Sequence, residues 1–151
     1  MIDEDETLEE PSETLRSIST DSRLEAQWVV GFVDGEGCFY VGINAQPEMN
    51  TGYQVLPEFT VVQHKQDIQL LYALKQFFGC GVVRQNHGDR MAYRVRGVEH
   101  LQERVIPFFE KHSLKTKKHL DFLKFRKILM MMYRNEHLTL DGIEKIRQMA
   151  S

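Results

Sequence analysis

The run Trp28-Val29-Val30-Gly31-Phe32-Val33 constrains this chain more than any other segment, because at helical spacing it is apolar on almost every side. A helix of that kind cannot lie on a surface with one buried stripe; it has to be covered from more than one direction. Just before it, Ser22-Arg23-Leu24-Glu25 has the S-x-x-E form in which serine and glutamate satisfy orphan backbone donors, so the helix is expected to begin at Arg23. Gly35 and Gly37 are expected to end it. Gly31 and Gly35 are four apart and share one face, where the missing side chains let a second helix approach closely.

Beyond this helix the hydrophobic period changes. Residues 38–45 put Phe39, Val41 and Ile43 on one side, and residues 53–63 do the same with Tyr53, Val55, Phe59 and Val61, which predicts two antiparallel strands with one buried face. Residues 66–78 return to helical spacing with Ile68, Leu71, Leu74 and Phe78, and Gly79 follows as a stop signal. A hairpin is expected from residues 82–86 and 91–96 around His87-Gly88-Asp89-Arg90. Residues 98–104 suit a short helix that Pro107 interrupts, residues 118–133 a long one, and Thr139 can cap a last helix ending near Met149. The order α-ββ-α-ββ-α is an α+β layer architecture, with no internal repeat.

A chain of 151 residues has room for one domain, here residues 21–151. The net charge of −3 argues against a nucleic-acid partner only until it is divided: nine acids and two bases among residues 1–25 leave −7 there and +4 on the remainder. Residues 1–20 are expected to be a disordered acidic tail, since they hold too few large apolar residues to offset their ordering entropy. Such a tail either solubilises the protein or competes with an acidic partner for the basic surface. No apolar run nears the roughly 18 residues of a membrane span, and MIDEDETLEE carries acids where a targeting peptide would carry bases. The expected setting is therefore intracellular, a bacterial cytoplasm or an organelle interior, with no membrane contact. Cys38 and Cys80 match no metal spacing and are expected to be two buried thiols.

Residues 28–41, WVVGFVDGEGCFYV, resemble the motif of the LAGLIDADG homing endonucleases, with the nine motif letters falling on residues 29–37. The resemblance implies the αββαββα homing-endonuclease fold, in which a twisted antiparallel sheet forms a DNA-binding saddle and the helices lie on the opposite face. It implies a site-specific endonuclease, intron-encoded, that makes metal-dependent double-strand breaks with 3′ overhangs at a long, near-palindromic site. In the family two motif helices pack together, which places Trp28, Gly31, Phe32 and Gly35 at an interface. One copy of the motif then implies a homodimer. The acid before the final glycine holds the metal in this family, a role that falls on Glu36, with the Gly35 carbonyl as a neighbouring ligand. A carboxylate at a helix C-terminus is unfavourable until a cation arrives. Hard oxygen donors suit Mg2+, and Mn2+ or Ca2+ can occupy the same site. Taken alone, Asp34-Gly35-Glu36-Gly37 is more often a polar turn than a metal site; the helix before it and the strand after it reverse that in favour of the metal site.

Two further residues match family positions. Gln63 falls where the family orders water, and Lys115, in Leu114-Lys115-Thr116-Lys117-Lys118, falls where a lysine steadies developing charge. Lys115 also reads as part of a solvated charge run at a helix start. Asp67 stands where an arginine is common, so the base on that side has to come from Lys65, Lys117 or Lys118. The strand positions opposite the apolar set, Tyr40, Asn44, Gln46, Gln54, Glu58, Thr60, Arg84, Asn86, Arg94 and Arg96, are expected to meet double-stranded DNA. Lys117 and Lys118 are expected on phosphates. The same residues could form the plain solvent face of a half-open sheet. Two other functions compete: a non-cleaving maturase that binds intron RNA, and a small-ligand α+β domain. An intact Glu36 with Gln63 and Lys115 favours cleavage over the first, and a basic strand face disfavours the second.

Overall fold

The computed structural model describes residues 23–151, so the expected tail of residues 1–20 and Ser22 of the capping motif lie outside the described residues. Helix α1 is Ala26–Glu36, strands β1 and β2 are Gly37–Ala45 and Tyr53–His64, and helix α2 is Ile68–Phe78. Strands β3 and β4 follow as Val82–His87 and Arg90–Val95. A composite helix, α3, joins Val98–His100, a π-helical stretch Leu101–Val105 and Ile106–Lys111. Helix α4 is Lys118–Tyr133 and α5 is Leu140–Ala150. The strands form one antiparallel sheet in the order β1-β2-β4-β3. This is the expected α+β architecture.

Several boundaries differ from expectation for physical reasons. Helix α1 begins at Ala26 and not at Arg23: Glu25 is in extended backbone and its side chain caps nothing. Gly35 stays inside the helix, and only Gly37 ends it. The start of the second helix is a separate 3₁₀ turn, Lys65–Asp67, in which His64 Nδ1 accepts a hydrogen bond from Gln66 N–H at 3.1 Å. Pro107 does not interrupt α3, because the π-helical turn before it makes Pro107 a first-turn residue that owes no backbone donor. Thr139 does cap α5, its hydroxyl accepting from Gly142 N–H at 3.0 Å.

The helices cover one face of the sheet. Val29, Val30 and Val33 of α1 are fully buried with Leu71 and Leu74 of α2 and Phe122, Phe125 and Leu129 of α4. At the centre, Phe39 and Phe59 stack at 5.2 Å, and Phe78, Phe109 and Phe122 meet them edge-on or tilted. Aromatic contacts of that geometry add about 0.5–1.5 kcal/mol each beyond their area. Tyr93 is buried among them, and its hydroxyl donates to the Cys80 carbonyl at 2.8 Å. Burial pushes its phenol far up, so it stays a neutral donor. Gly81, at φ +92°, passes so close that a Cβ would lie 2.7 Å from the Tyr93 ring. Two burial expectations fail. Tyr53, at the outer end of β2, is exposed, and of the two cysteines only Cys80 is buried, Cys38 facing outward. No helix among the described residues is long and apolar enough to cross a membrane.

Candidate active site and nucleic-acid interface

Helix α1 runs into strand β1 without a connecting loop, and this abrupt exit places Glu36. Gly37 caps the helix in extended backbone, φ −84°, ψ 163°. A Cβ there would come within 2.6 Å of the Val33 side chain and 3.1 Å of its carbonyl, so glycine alone lets the strand leave at this point. Glu36 is therefore the last residue of the helix, exposed, at the negative end of the helix dipole. Gln63, one residue from the end of β2, donates from Nε2 to Glu36 Oε1 at 3.2 Å and to the Val62 carbonyl at 2.9 Å. Two residues expected to act together thus touch across 27 positions of sequence.

Lysines approach the same helix end by another route. Lys118 Nζ donates to the Gly37 carbonyl, a charge-assisted bond at the helix terminus. The loop before α4 is fastened to α1 by Asp34. Its carboxylate accepts from Lys115 N–H at 2.8 Å, from Thr116 N–H at 3.2 Å and from the Thr116 hydroxyl at 2.8 Å. Burial alone would raise the Asp34 carboxyl, but those bonds and the Lys115 charge outweigh it and hold the group below its ordinary value. The Lys115 ammonium turns to the Ser113 carbonyl at 2.9 Å, so no described contact joins it to Glu36. Asp67 is exposed at the start of α2, and Lys65 pairs with Asp89 at 3.4 Å. Of the lysines offered in place of the absent arginine, Lys118 is the one held at the helix end. The anchoring role of Asp34 was out of reach in the sequence, since its partners lie 81 and 82 positions away with no shared pattern.

The outer face of the sheet gathers most of the residues expected to read DNA. Asn44 is opposite Gln54, Tyr40 opposite Glu58, and Thr60 opposite Arg94. Arg84 is opposite Ala92, one row from Arg94. Three of the expected residues leave the regular pattern: Gln46 lies beyond β1, Arg96 beyond β4, and Asn86 sits at the bulge between Gln85 and His87. Burial, together with the charges of Arg96 and Arg84, presses against the Arg94 charge, and Glu58 relieves it. Tyr40 is exposed, with its ring beside Gly42.

Among the described residues, the second face of α1 stays open. Trp28 stacks on Phe32 at 4.8 Å, Trp28 is 43% exposed, and neither Gly31 nor Gly35 has an atom within 4 Å of where a Cβ would sit. Among the described residues, an apolar helix is thus covered on one side by its own sheet and left bare on the other.

Comparisons with known proteins converge on one family. The model of the LAGLIDADG endonuclease family matches residues 29–129. A probable intron-encoded endonuclease 2 of Neurospora crassa is 32% identical over 125 residues, covering 82% of this chain and 28% of that protein. The chain spans 26–30% of the length of the three curated relatives compared first. Among solved structures, the homing endonuclease I-TnaI superposes with a TM-score of 0.82 at 64% identity, over 84% of this chain and 86% of that one. The LAGLIDADG homing endonuclease I-SmaMI, bound to cleaved DNA, superposes at 0.81 with 40% identity over 83% of this chain and 42% of that one. It has also been seen on its uncleaved DNA target in the presence of calcium ions.

Proposed function

This chain belongs to the LAGLIDADG endonuclease family, and we propose that it is a site-specific, intron-encoded homing endonuclease. In this reading it acts on double-stranded DNA as a homodimer and leaves 3′ overhangs. The observation that carries the reading is Glu36, exposed at the C-terminus of α1 beside an apolar helix face that the described residues do not cover. Two copies joined through Trp28, Gly31, Phe32 and Gly35 would bring two Glu36 carboxylates to the dimer axis, one for each strand.

The donor set at that point is a carboxylate with backbone carbonyls of a helix end, Gly35 among them. Such hard oxygens fit Mg2+, and Mn2+ or Ca2+ would fit the same donors. Among the described residues no three His, Cys, Asp or Glu side chains converge on a point. A divalent ion held by one carboxylate per chain, carbonyls and the DNA phosphate matches that sparse protein contribution. When bound, such an ion supplies charge neutralisation at the phosphate and makes water more acidic. The chain's own residues do the rest. Gln63 holds the Glu36 carboxylate by one oxygen and can orient water beside it. Lys118 places a cation at the helix end, and Lys115, whose backbone Asp34 fixes, can swing its ammonium toward a cleaved phosphate. The sheet face binds the duplex through Tyr40, Asn44, Gln54, Glu58, Thr60, Arg84 and Arg94, with Arg96, Gln46 and Asn86 at its margins and Lys117 and Lys118 on phosphates. Relatives named as intron-encoded support a place inside a cell or organelle.

A plasmid library incubated with Mg2+ tests the proposal. The wild-type chain is expected to linearise a subset of plasmids and Glu36→Gln to leave all of them intact while still binding. Cleavage that survives in Glu36→Gln would remove the central residue of this reading.

A further inference from the structure

We infer that Glu58 is a positioning residue that holds Arg96 ready to read a guanine, so that each half-site contains a guanine recognised by this prebuilt pair. The inference rests on the DNA-binding reading above and adds a base and a mechanism to it. Arg96 Nε donates to Glu58 Oε1 at 2.8 Å. The two residues continue the β2-β4 register by one step past Phe59 and Val95, which makes them direct neighbours across the sheet. Glu58 also pairs with Tyr40, so Tyr40 and Glu58 form a row that Arg96 extends from just past the end of β4, beside the row of Cys38, Thr60, Arg94 and Val82.

Three features set this contact apart from an ordinary surface salt bridge, which contributes little to stability. Exposure is unequal: the Glu58 side chain is 19% exposed and Arg96 57%, so the acid is tucked in and the guanidinium projects. The acid also engages Arg96 through Nε, on one edge of the planar fork. The two terminal nitrogens keep free N–H groups on the other edge, the pair that matches guanine O6 and N7. Finally, Arg94 and Arg84 crowd the same patch, with Arg94 Nε buried and unpartnered. Three arginine charges share the single Glu58 carboxylate, an excess of positive charge that guanine acceptors or phosphates would relieve. A long side chain fixed in advance loses less entropy when it binds, so the carboxylate sharpens discrimination although its charge repels the DNA backbone.

Those two effects have opposite signs, and the experiment reads both. A randomised duplex library is selected for binding by the full chain without magnesium, and base preference is scored at each position for wild type, Glu58→Gln, Arg96→Lys and the double variant. One position in each half-site is expected to prefer guanine, and Arg96→Lys to reduce that preference by about tenfold. Glu58→Gln should reduce it by about fivefold at the same position only. It should also raise affinity for unrelated duplex by about twofold, because a negative charge is gone. The double variant should match Arg96→Lys alone, since both act through one contact. An unchanged base profile in Glu58→Gln, or losses spread evenly over all sequences, would overturn the inference and leave the pair as a brace or a phosphate contact. Failure of the wild-type chain to bind any duplex would overturn the underlying DNA reading as well, and is recognisable because it appears before any substitution.

Discussion

Asp34 and Glu36 are two residues apart at the end of α1. Asp34 accepts three hydrogen bonds from a loop 81 and 82 positions away, whereas Glu36 accepts one, from Gln63. The helical turn points the first carboxylate at the α4 loop and the second outward, so the same chemical group becomes an anchor in one place and an available ligand in the other. The lesson is that satisfaction, more than identity, separates a structural carboxylate from a reactive one. A group already holding three donors has little left to offer a cation. Helix α1 shows the same division along its length: Val29, Val30 and Val33 are packed in the core, Phe32 is half-buried, and Trp28, Gly31 and Gly35 remain open among the described residues.

The sharpest way to break the comparison is to neutralise each carboxylate in turn. Glu36→Gln keeps size and the Gln63 neighbour but removes the charge; cleavage is expected to fall by about 10³-fold with DNA affinity nearly unchanged. Single-turnover cleavage and binding measured on the same preparation check it. If Asp34→Asn proves the more damaging to cleavage at equal folded fraction, the assignment of roles is reversed.

Next in size is a change on the open face of α1. A Cβ at Gly31 meets nothing within 4 Å in one chain, and leaving glycine behind in a helix favours folding by up to about 1 kcal/mol. At concentrations where the chain is monomeric, Gly31→Leu should therefore leave the melting temperature equal or higher. Overpacking a close helix contact costs roughly 1–3 kcal/mol, so dimer affinity should drop by about tenfold to a hundredfold. Sedimentation velocity over a concentration series reads the second effect and thermal unfolding the first. A dimer that survives intact would mean the open face serves some other purpose.

Much of this division could be read from the chain alone. The run from Trp28 to Val33 implies a helix covered on more than one side, of which the described residues supply one, and the alternation in β1 and β2 puts Tyr40, Asn44, Glu58 and Thr60 on the outer face, where they are found. Helix α4 covers the expected residues 118–133, because their buried set recurs at helical spacing. What stayed hidden depends on contacts with no local trace. Nothing near Asp34 signals that Thr116 will bond to it, and nothing near Lys118 signals the Gly37 carbonyl. Pro107 misled because a proline reads as a break unless the turn before it shifts register. The open side of α1 is marked by the Gly31-Gly35 spacing and by the family resemblance, not by the apolar period, since an all-round apolar helix gives no preferred direction.

A smaller effect is expected at Gln63. Its bond to Glu36 is exposed and 3.2 Å long, so Gln63→Ala should change stability by less than about 0.5 kcal/mol. Its loss should slow cleavage by roughly tenfold if it orients water beside the carboxylate. A rate within twofold of wild type would leave Glu36 acting without that help.

The smallest effect, and the one that isolates the anchor, is the response of Asp34 to pH. In Asp34→Asn the amide oxygen can still accept from Thr116, but its NH2 must face the Lys115 N–H, donor against donor. The expected cost is about 1–2 kcal/mol near neutral pH. The wild-type carboxyl is held below its ordinary value of 3.8. A depressed carboxyl contributes stability that is complete above the unfolded value and lost as pH falls through the folded one. The difference in melting temperature between wild type and Asp34→Asn should therefore stay level from pH 8 to about pH 5, because the carboxylate is ionised in both states there. It should narrow below about pH 4 as the unfolded chain begins to take up the proton first. A gap that widened in acid would mean the folded state raises this carboxyl, which is incompatible with three donors aimed at it.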